Sequence, residues 1–288
     1  DGADVLGAVL VTSALMLAVY TIVAPAAHDG WSAGSTLAFG AVSLVLLAAF
    51  LAREATARNP LIPLRVFRSR NTSGANVIQM LTVPAMFGMF FLGALYLERV
   101  LGYGPLEIGF AFLPATLVMG TLSLRYTEKL VTHFGARAVM IVGLAFTAAG
   151  LLRFTQAPVD ANYLTHIFPV MLLLGIGAGT SFPALVTLAM ADATPADAGL
   201  ASGLVNTTAQ VGGALGLAVL ATTAASRTGD LEAAGRATAE ALNGGYHLAY
   251  LIGAGLLLTA LAVATFVLKP TPAQAHGGMA EVAASETV

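Results

Sequence analysis

The chain has 288 residues, of which 57% are hydrophobic and only 10% charged, against about 25% charged residues in ordinary soluble domains, so a water-soluble core is excluded. A formal net charge of −2, from 13 basic and 15 acidic residues, gives no sign of a nucleic-acid partner. There is no cysteine, which removes disulfides, thiolate metal sites and cysteine nucleophiles.

The first predicted element is residues 5–24, VLGAVLVTSALMLAVYTIVA. It is uncharged and as long as a bilayer's hydrocarbon core is thick, about 20 residues as a helix. No basic segment precedes it and no small-residue cleavage site follows, so it reads as a true span and not as a signal peptide. The chain opens on Asp1 and not on Met, and the expectation is that it begins inside a longer reading frame. Comparable apolar stretches follow at 35–52, 73–97, 106–125, 138–156, 163–190, 199–225 and 246–268. Hydrocarbon offers no water to backbone N–H and C=O groups, so each stretch must satisfy them internally. The fold class expected is therefore all-α, a polytopic membrane protein with about eight transmembrane helices.

Between the second and third spans, NPLIPLRVFRSR opposes a continuous helix through Pro60 and Pro63 and offers Leu61, Ile62, Leu64, Val66 and Phe67 to the membrane interface. Residues 59–72 are accordingly expected to skim the membrane surface. Between the seventh and eighth spans, Glu232, Arg236 and Glu240 are four apart, which suits either a short surface helix or a solvated loop.

Lys and Arg segregate between alternate connections. Arg53, Arg58, Arg65, Arg68, Arg70, Arg125, Lys129, Arg137 and Lys269 share one side, while Arg99, Arg153, Arg227 and Arg236 share the other. The positive-inside rule makes the richer side cytoplasmic, with both termini there. Residues 269–288 then form a disordered cytoplasmic tail. Asn71-Thr-Ser matches a glycosylation sequon but falls on that same side.

A charge at mid-membrane costs at least about 2.5–3.5 kcal/mol, so a buried acid or base would be the first functional candidate. No span carries one at its centre: Glu98, Glu107, Glu128, Asp160, Asp192 and Asp197 all fall at span ends or in connections. The polar groups inside the spans are amides. Asn76 and Gln79 share one face of the third span, and Asn206 and Gln210 one face of the seventh. Each pair suits interhelical hydrogen bonding or the lining of a passage.

Pro84, Pro114, Pro169 and Pro183 lie within spans, where each removes a backbone donor and permits a kink. Met86, Phe87, Met89, Phe90 and Phe91 follow Pro84 and offer soft or aromatic surface to a greasy ligand, or to ordinary packing. Glycine pairs four apart at 175/179, 199/203 and 212/216 suit close helix approach. His28, His133, His166, His247 and His276 show no metal-ligand spacing, so neither metal nor other cofactor is expected. No nucleophile with a base and no paired acids at one depth are visible, so an enzyme is not expected.

Four stretches together, NPLIPLRVFRSR at 59–70, YLERVLGYGPLEIGFAFLPATL at 96–117, AGLASGLVNTTAQVGGALGLAVL at 198–220 and GYHLAYLIGAGLLL at 245–258, resemble the fourteen-helix drug:proton antiporter branch of the major facilitator superfamily. The resemblance implies that residues 1–58 are two linker transmembrane helices and that 73–268 is the C-terminal six-helix bundle, with the N-terminal six-helix half missing. The family's membrane-embedded acid usually belongs to that absent half. By the same analogy the third and sixth spans line a central cavity, the fourth and seventh meet the other half, and the fifth and eighth face lipid.

Asn76, Gln79, Met86, Phe87 and Phe90 become candidate substrate contacts, and Asn206, Gln210, Gly212 and Gly213 candidates for the interface between halves. RYTEKLVTHFGAR at 125–137 resembles a decayed cytoplasmic loop motif, with Thr132 and His133 where an acid and a base would stand. The function implied is part of a secondary active exporter, of multidrug or metabolite type, working by alternating access as a proton antiporter in a bacterial cytoplasmic membrane. Its partners would be a hydrophobic or amphiphilic small molecule, protons and membrane lipid. The chain alone would be inactive. A non-transporting membrane scaffold or partner subunit is the alternative.

Overall fold

A computed structural model describes residues 4–57, 69–191 and 198–269. The proposed interfacial segment lies mostly, and the C-terminal tail almost wholly, outside those residues. The elements are α1 (Val5–Val23), α2 (Pro25–Asp29), α3 (Gly34–Thr56), α4 (Arg70–Arg99), α5 (Pro105–Thr121), α6 (Thr127–Phe134), α7 (Ala136–Phe154), α8 (Phe168–Met190), α9 (Ala198–Ala233) and α10 (Thr238–Phe266). Among the described residues, eight helical stretches are long and apolar enough to cross a membrane, one for each predicted span.

Three features differ from the expected ones. The fourth span does not end near residue 125; it continues through a π-helical turn, Leu122–Tyr126, into α6 as far as Phe134. The supposed loop at 125–137 is thus helical almost throughout. Its Gly135 makes the corner at φ +82, a backbone region that side chains with a Cβ avoid. At the other end of the bundle, 226–245 is neither a separate surface helix nor a loop: α9 and α10 extend toward each other until only a short turn containing Gly235 (φ +81) remains. Arg236 and Glu240 pair across that turn at 3.5 Å, and both are exposed.

The third difference concerns the prolines. Pro84, Pro114 and Pro183 lie inside α4, α5 and α8. Pro169 instead stands at the second residue of α8, where a π-helical turn at Tyr163–Ile167 runs into the α-helix.

α1 and α3 form a hairpin. Asp4 caps α1 by accepting from the Gly7 N–H at 3.0 Å and pairs with Arg53 near the end of α3 at 3.1 Å. Ser43 donates to the Ala14 carbonyl at 2.8 Å. This hairpin meets the rest of the chain chiefly where α1 lies against α9.

The remaining six spans form one bundle with α4 and α8 at its centre. α4 packs on α9 and α10, α8 packs on α5 and α7, and α10 closes against α7. Small residues set these distances. A Cβ added at Gly175 would come 2.7 Å from the Ala115 carbonyl, and one at Gly179 would come 2.8 Å from that of Met119, so α5 and α8 touch backbone to backbone. The glycine spacing at 175/179 therefore serves close helix packing. Thr127, fully buried, holds the π-helical turn to α8 by donating toward the Gly179 carbonyl at 2.8 Å and the Leu122 carbonyl at 2.9 Å.

At one end, Tyr96 donates to the Pro158 carbonyl at 2.7 Å, while Asn243 and His247, one turn apart on α10, both engage the Ala157 carbonyl. Beneath them Tyr96 meets Phe154 edge to face, and Phe154 stacks on Tyr250. At the arginine-rich end, Arg137 donates to the Ala264 and Thr265 carbonyls and Arg70 to that of Phe266. Two guanidinium groups thus satisfy the orphan carbonyls and oppose the negative end of the α10 dipole.

Candidate functional site

Most of the polar candidates lie on α4 and α9, which run parallel in a fixed register of four-residue steps. Asn76 meets Thr208, whose hydroxyl donates to its Oδ1 at 2.9 Å. One turn on, a Cβ at Gly212 would lie 3.3 Å from Met80 Cα; another turn on, one at Gly216 would lie 2.1 Å from Pro84 Cβ; then one at Gly88 would lie 2.5 Å from Leu220 Cδ1. Gln79 adds a bond across the seam by donating to the Val205 carbonyl. The spare Asn76 donor returns to its own helix at the Thr72 carbonyl, 2.9 Å away. Asn76 and Gln79 are both buried.

The five candidate substrate contacts are therefore divided. Asn76, Gln79 and Phe87 face α9, with Phe87 pressed on Gly213 and 44% exposed at its outer edge. Met86 is buried. Phe90 turns to α5 and meets Phe112 at a ring separation of 5.4 Å. Within the described residues they do not converge on one open cavity.

The interface candidates divide as well. Gly212 and Gly213 are buried against α4. Asn206 and Gln210 point the other way, exposed on the outer face of α9 together with Ser202, and neither makes a hydrogen bond among the described residues. An amide left unpaired within a membrane span needs a partner or water. Gln210 also stands at the rim of a cavity of about 560 Å³ between α1 and α9, walled by Met16, Val19, Tyr20, Val211 and Leu215.

Sequence reasoning missed the polar groups that organise the ends and the seam: Thr208, Thr127, Asn243, and the use of Arg70 and Arg137 as caps. The only sequence signal for these was spacing, as in Asn243 and His247 one turn apart. Among the described residues no group of three His, Cys, Asp or Glu could hold a metal ion.

Eight bilayer-length helices, six of them in one bundle with α4 and α8 at its centre and an open polar face on α9, define a polytopic helical membrane protein. The family model described as Major Facilitator Superfamily matches residues 5–217, so the chain belongs to that family of transporters. Among curated relatives, it is 31% identical over 286 residues to "Puromycin resistance protein pur8" of Streptomyces alboniger, covering 97% of this chain and 56% of that protein. It is 36% identical to "Cephamycin export protein CmcT" of Amycolatopsis lactamdurans, over 78% of this chain and 46% of the relative. To "Tetracenomycin C resistance and export protein" of Streptomyces glaucescens it is 34% identical, over 79% of this chain and 42% of the relative. The chain spans about half the length of the curated relatives it matches.

Proposed function

We propose that this chain is the C-terminal portion of a secondary active exporter of small apolar or amphiphilic molecules, moved by alternating access and driven by proton antiport. In this reading α1 and α3 are linker helices, α4 to α10 are the C-terminal bundle, and a further six-helix half completes the transporter. The arginine-rich end is cytoplasmic. The observation that carries the reading is the outward face of α9, where Asn206 and Gln210 are exposed and unpaired among the described residues, a face that suits another polar helix or a wet passage. The names of the relatives, antibiotic resistance and export proteins, support the solute class.

Proton coupling needs a titratable group within the membrane. All carboxylates of the described spans lie toward helix ends, so the coupling acid belongs to the other half. Reconstituted alone in vesicles, the chain should fail to move a fluorescent amphiphile when a pH gradient is imposed. Gradient-driven uptake by this chain alone would overturn that assignment.

A further inference from the structure

Toward the end of the bundle opposite the arginine-rich one, the α4–α9 seam opens. Gly88 and Leu220 still touch, but a turn further on Leu92 and Leu95 of α4, Ala224 and Gly229 of α9 and Tyr246 of α10 stand around a cavity of about 290 Å³. Arg99 of α4 and Glu232 of α9 line the same cavity. Spacing agrees with this on both helices, since Leu92, Leu95 and Arg99 share one face of α4, and Ala224, Thr228 and Glu232 one face of α9. Leu92, Ala224 and Tyr246 are buried while Arg99 and Glu232 are exposed, so the floor is apolar and the charge stands at the rim.

The polar groups of this cup are not satisfied by one another. Arg99 and Glu232 carry opposite charges in one small cavity, yet neither side chain makes an ion pair or hydrogen bond among the described residues. Tyr246 is only 4% exposed and within electrostatic reach of Arg99, and its hydroxyl likewise bonds nothing among the described residues. A buried hydroxyl without a protein partner calls for another one. The Thr228 hydroxyl, by contrast, is spent on the Ala224 carbonyl at 2.9 Å.

We infer that this cavity binds a small zwitterionic solute with an apolar side group: its anionic group at Arg99 and Tyr246, its ammonium at Glu232, and its side group on Leu92 and Leu95. A purely anionic molecule would meet Glu232 and a purely cationic one Arg99, so only a molecule that carries both charges gains from the whole rim. The volume is at the small end of ligand pockets, and the contact of Gly88 with Leu220 closes the floor, which favours a short solute over an acyl tail. Ala221, also in the lining, lies three turns from Gln210 on the same face of α9, so the cavity adjoins the open face of that helix. A role in export rests on the transporter reading; binding by this chain does not.

Saturation-transfer NMR of the full chain in phosphatidylcholine nanodiscs tests this, with L-phenylalanine, phenethylamine and 3-phenylpropanoate as probes and empty nanodiscs subtracted. L-Phenylalanine should bind tightest, by roughly fivefold over each probe that lacks one charge, the upper end for an exposed ion pair. Arg99→Gln should weaken L-phenylalanine and 3-phenylpropanoate by that factor and spare phenethylamine, while Glu232→Gln should weaken L-phenylalanine and phenethylamine and spare 3-phenylpropanoate. Tyr246→Phe should cost L-phenylalanine roughly threefold. Arg236→Gln, at an exposed arginine outside the cavity lining, should change nothing. Equal binding of the three probes, a variant that weakens all three alike, or an equal loss in Arg236→Gln overturns the proposal. Displacement of L-phenylalanine when phosphatidylethanolamine replaces phosphatidylcholine overturns it in favour of a lipid headgroup. None of these readouts requires transport, so a failure here leaves the exporter reading to its own test.

Discussion

Pro84 and Gly216 lie so close that a Cβ on the glycine would sit 2.1 Å from the Cβ of the proline, nearer than any real contact allows. The proline that breaks a hydrogen bond in α4 is thus set against the one kind of residue that lets α9 come up to it. Gly216→Ala should force the two helices apart and destabilise the bundle by about 1–3 kcal/mol. Gly203→Ala, which meets nothing within 4 Å, should be neutral or slightly stabilising through helix propensity. Unfolding of the purified protein in mixed detergent micelles separates the two outcomes.

The amides on α4 and α9 have opposite expected phenotypes. Gln79→Ala removes a bond across the seam and should cost on the order of 0.6 kcal/mol or slightly more, visible in the same unfolding assay. Asn206→Ala and Gln210→Ala break no contact and should leave unfolding unchanged. Because the chain has no cysteine, single cysteines placed at 206 and 210 report cleanly: a water-soluble maleimide should label both in the isolated chain. Protection of both positions there would show that the α9 face is already covered.

Arg137 and Arg70 together hold the last carbonyls of α10. Cations at a helix C-terminus contribute about 0.3–1 kcal/mol each at exposed sites. Arg137→Ala should therefore fray the final turn before it unfolds the bundle. Hydrogen exchange at residues 263–267 should accelerate while that of the helix centre stays slow, and Arg137→Lys should restore protection only in part, since an ammonium group lacks the guanidinium's fork.

Asp4 should show a one-sided pH dependence. The Gly7 N–H, and then the Arg53 guanidinium, hold its carboxyl below the ordinary value. A group whose folded pKa is depressed stabilises above its unfolded pKa, about 3.9 for Asp, and loses that contribution as pH falls through the lower folded value. The α1–α3 hairpin should hence be insensitive to pH from 8 down to about 5 and loosen only below about 4. Asp4→Asn should behave at pH 7 as the wild type does in acid, as faster hydrogen exchange at the Gly7 amide, which Asp4 caps, would reveal.

How much was legible in advance follows from which forces act locally. Residues 5–24 and their seven counterparts announce themselves because the preference of an uncharged apolar helix for hydrocarbon depends on its own composition, and the paired glycines at 175/179 because close approach demands small side chains wherever the partner lies. The end of the fourth span was misplaced for the converse reason: RYTEKLVTHFGAR looks polar enough for a loop, and its packing on α8, with the buried bond from Thr127 to the Gly179 carbonyl 52 residues away, is tertiary.

The sequence by itself thus determined the eight helices that, among the described residues, are long and apolar enough to cross a membrane, because burial of apolar surface and backbone satisfaction are properties of each segment. It could not determine where any amide points. Asn76 and Asn206 are the same residue type in the same kind of helix, yet one bonds Thr208 across a seam and the other is left open, and that difference arises only from the register in which α4 and α9 pack.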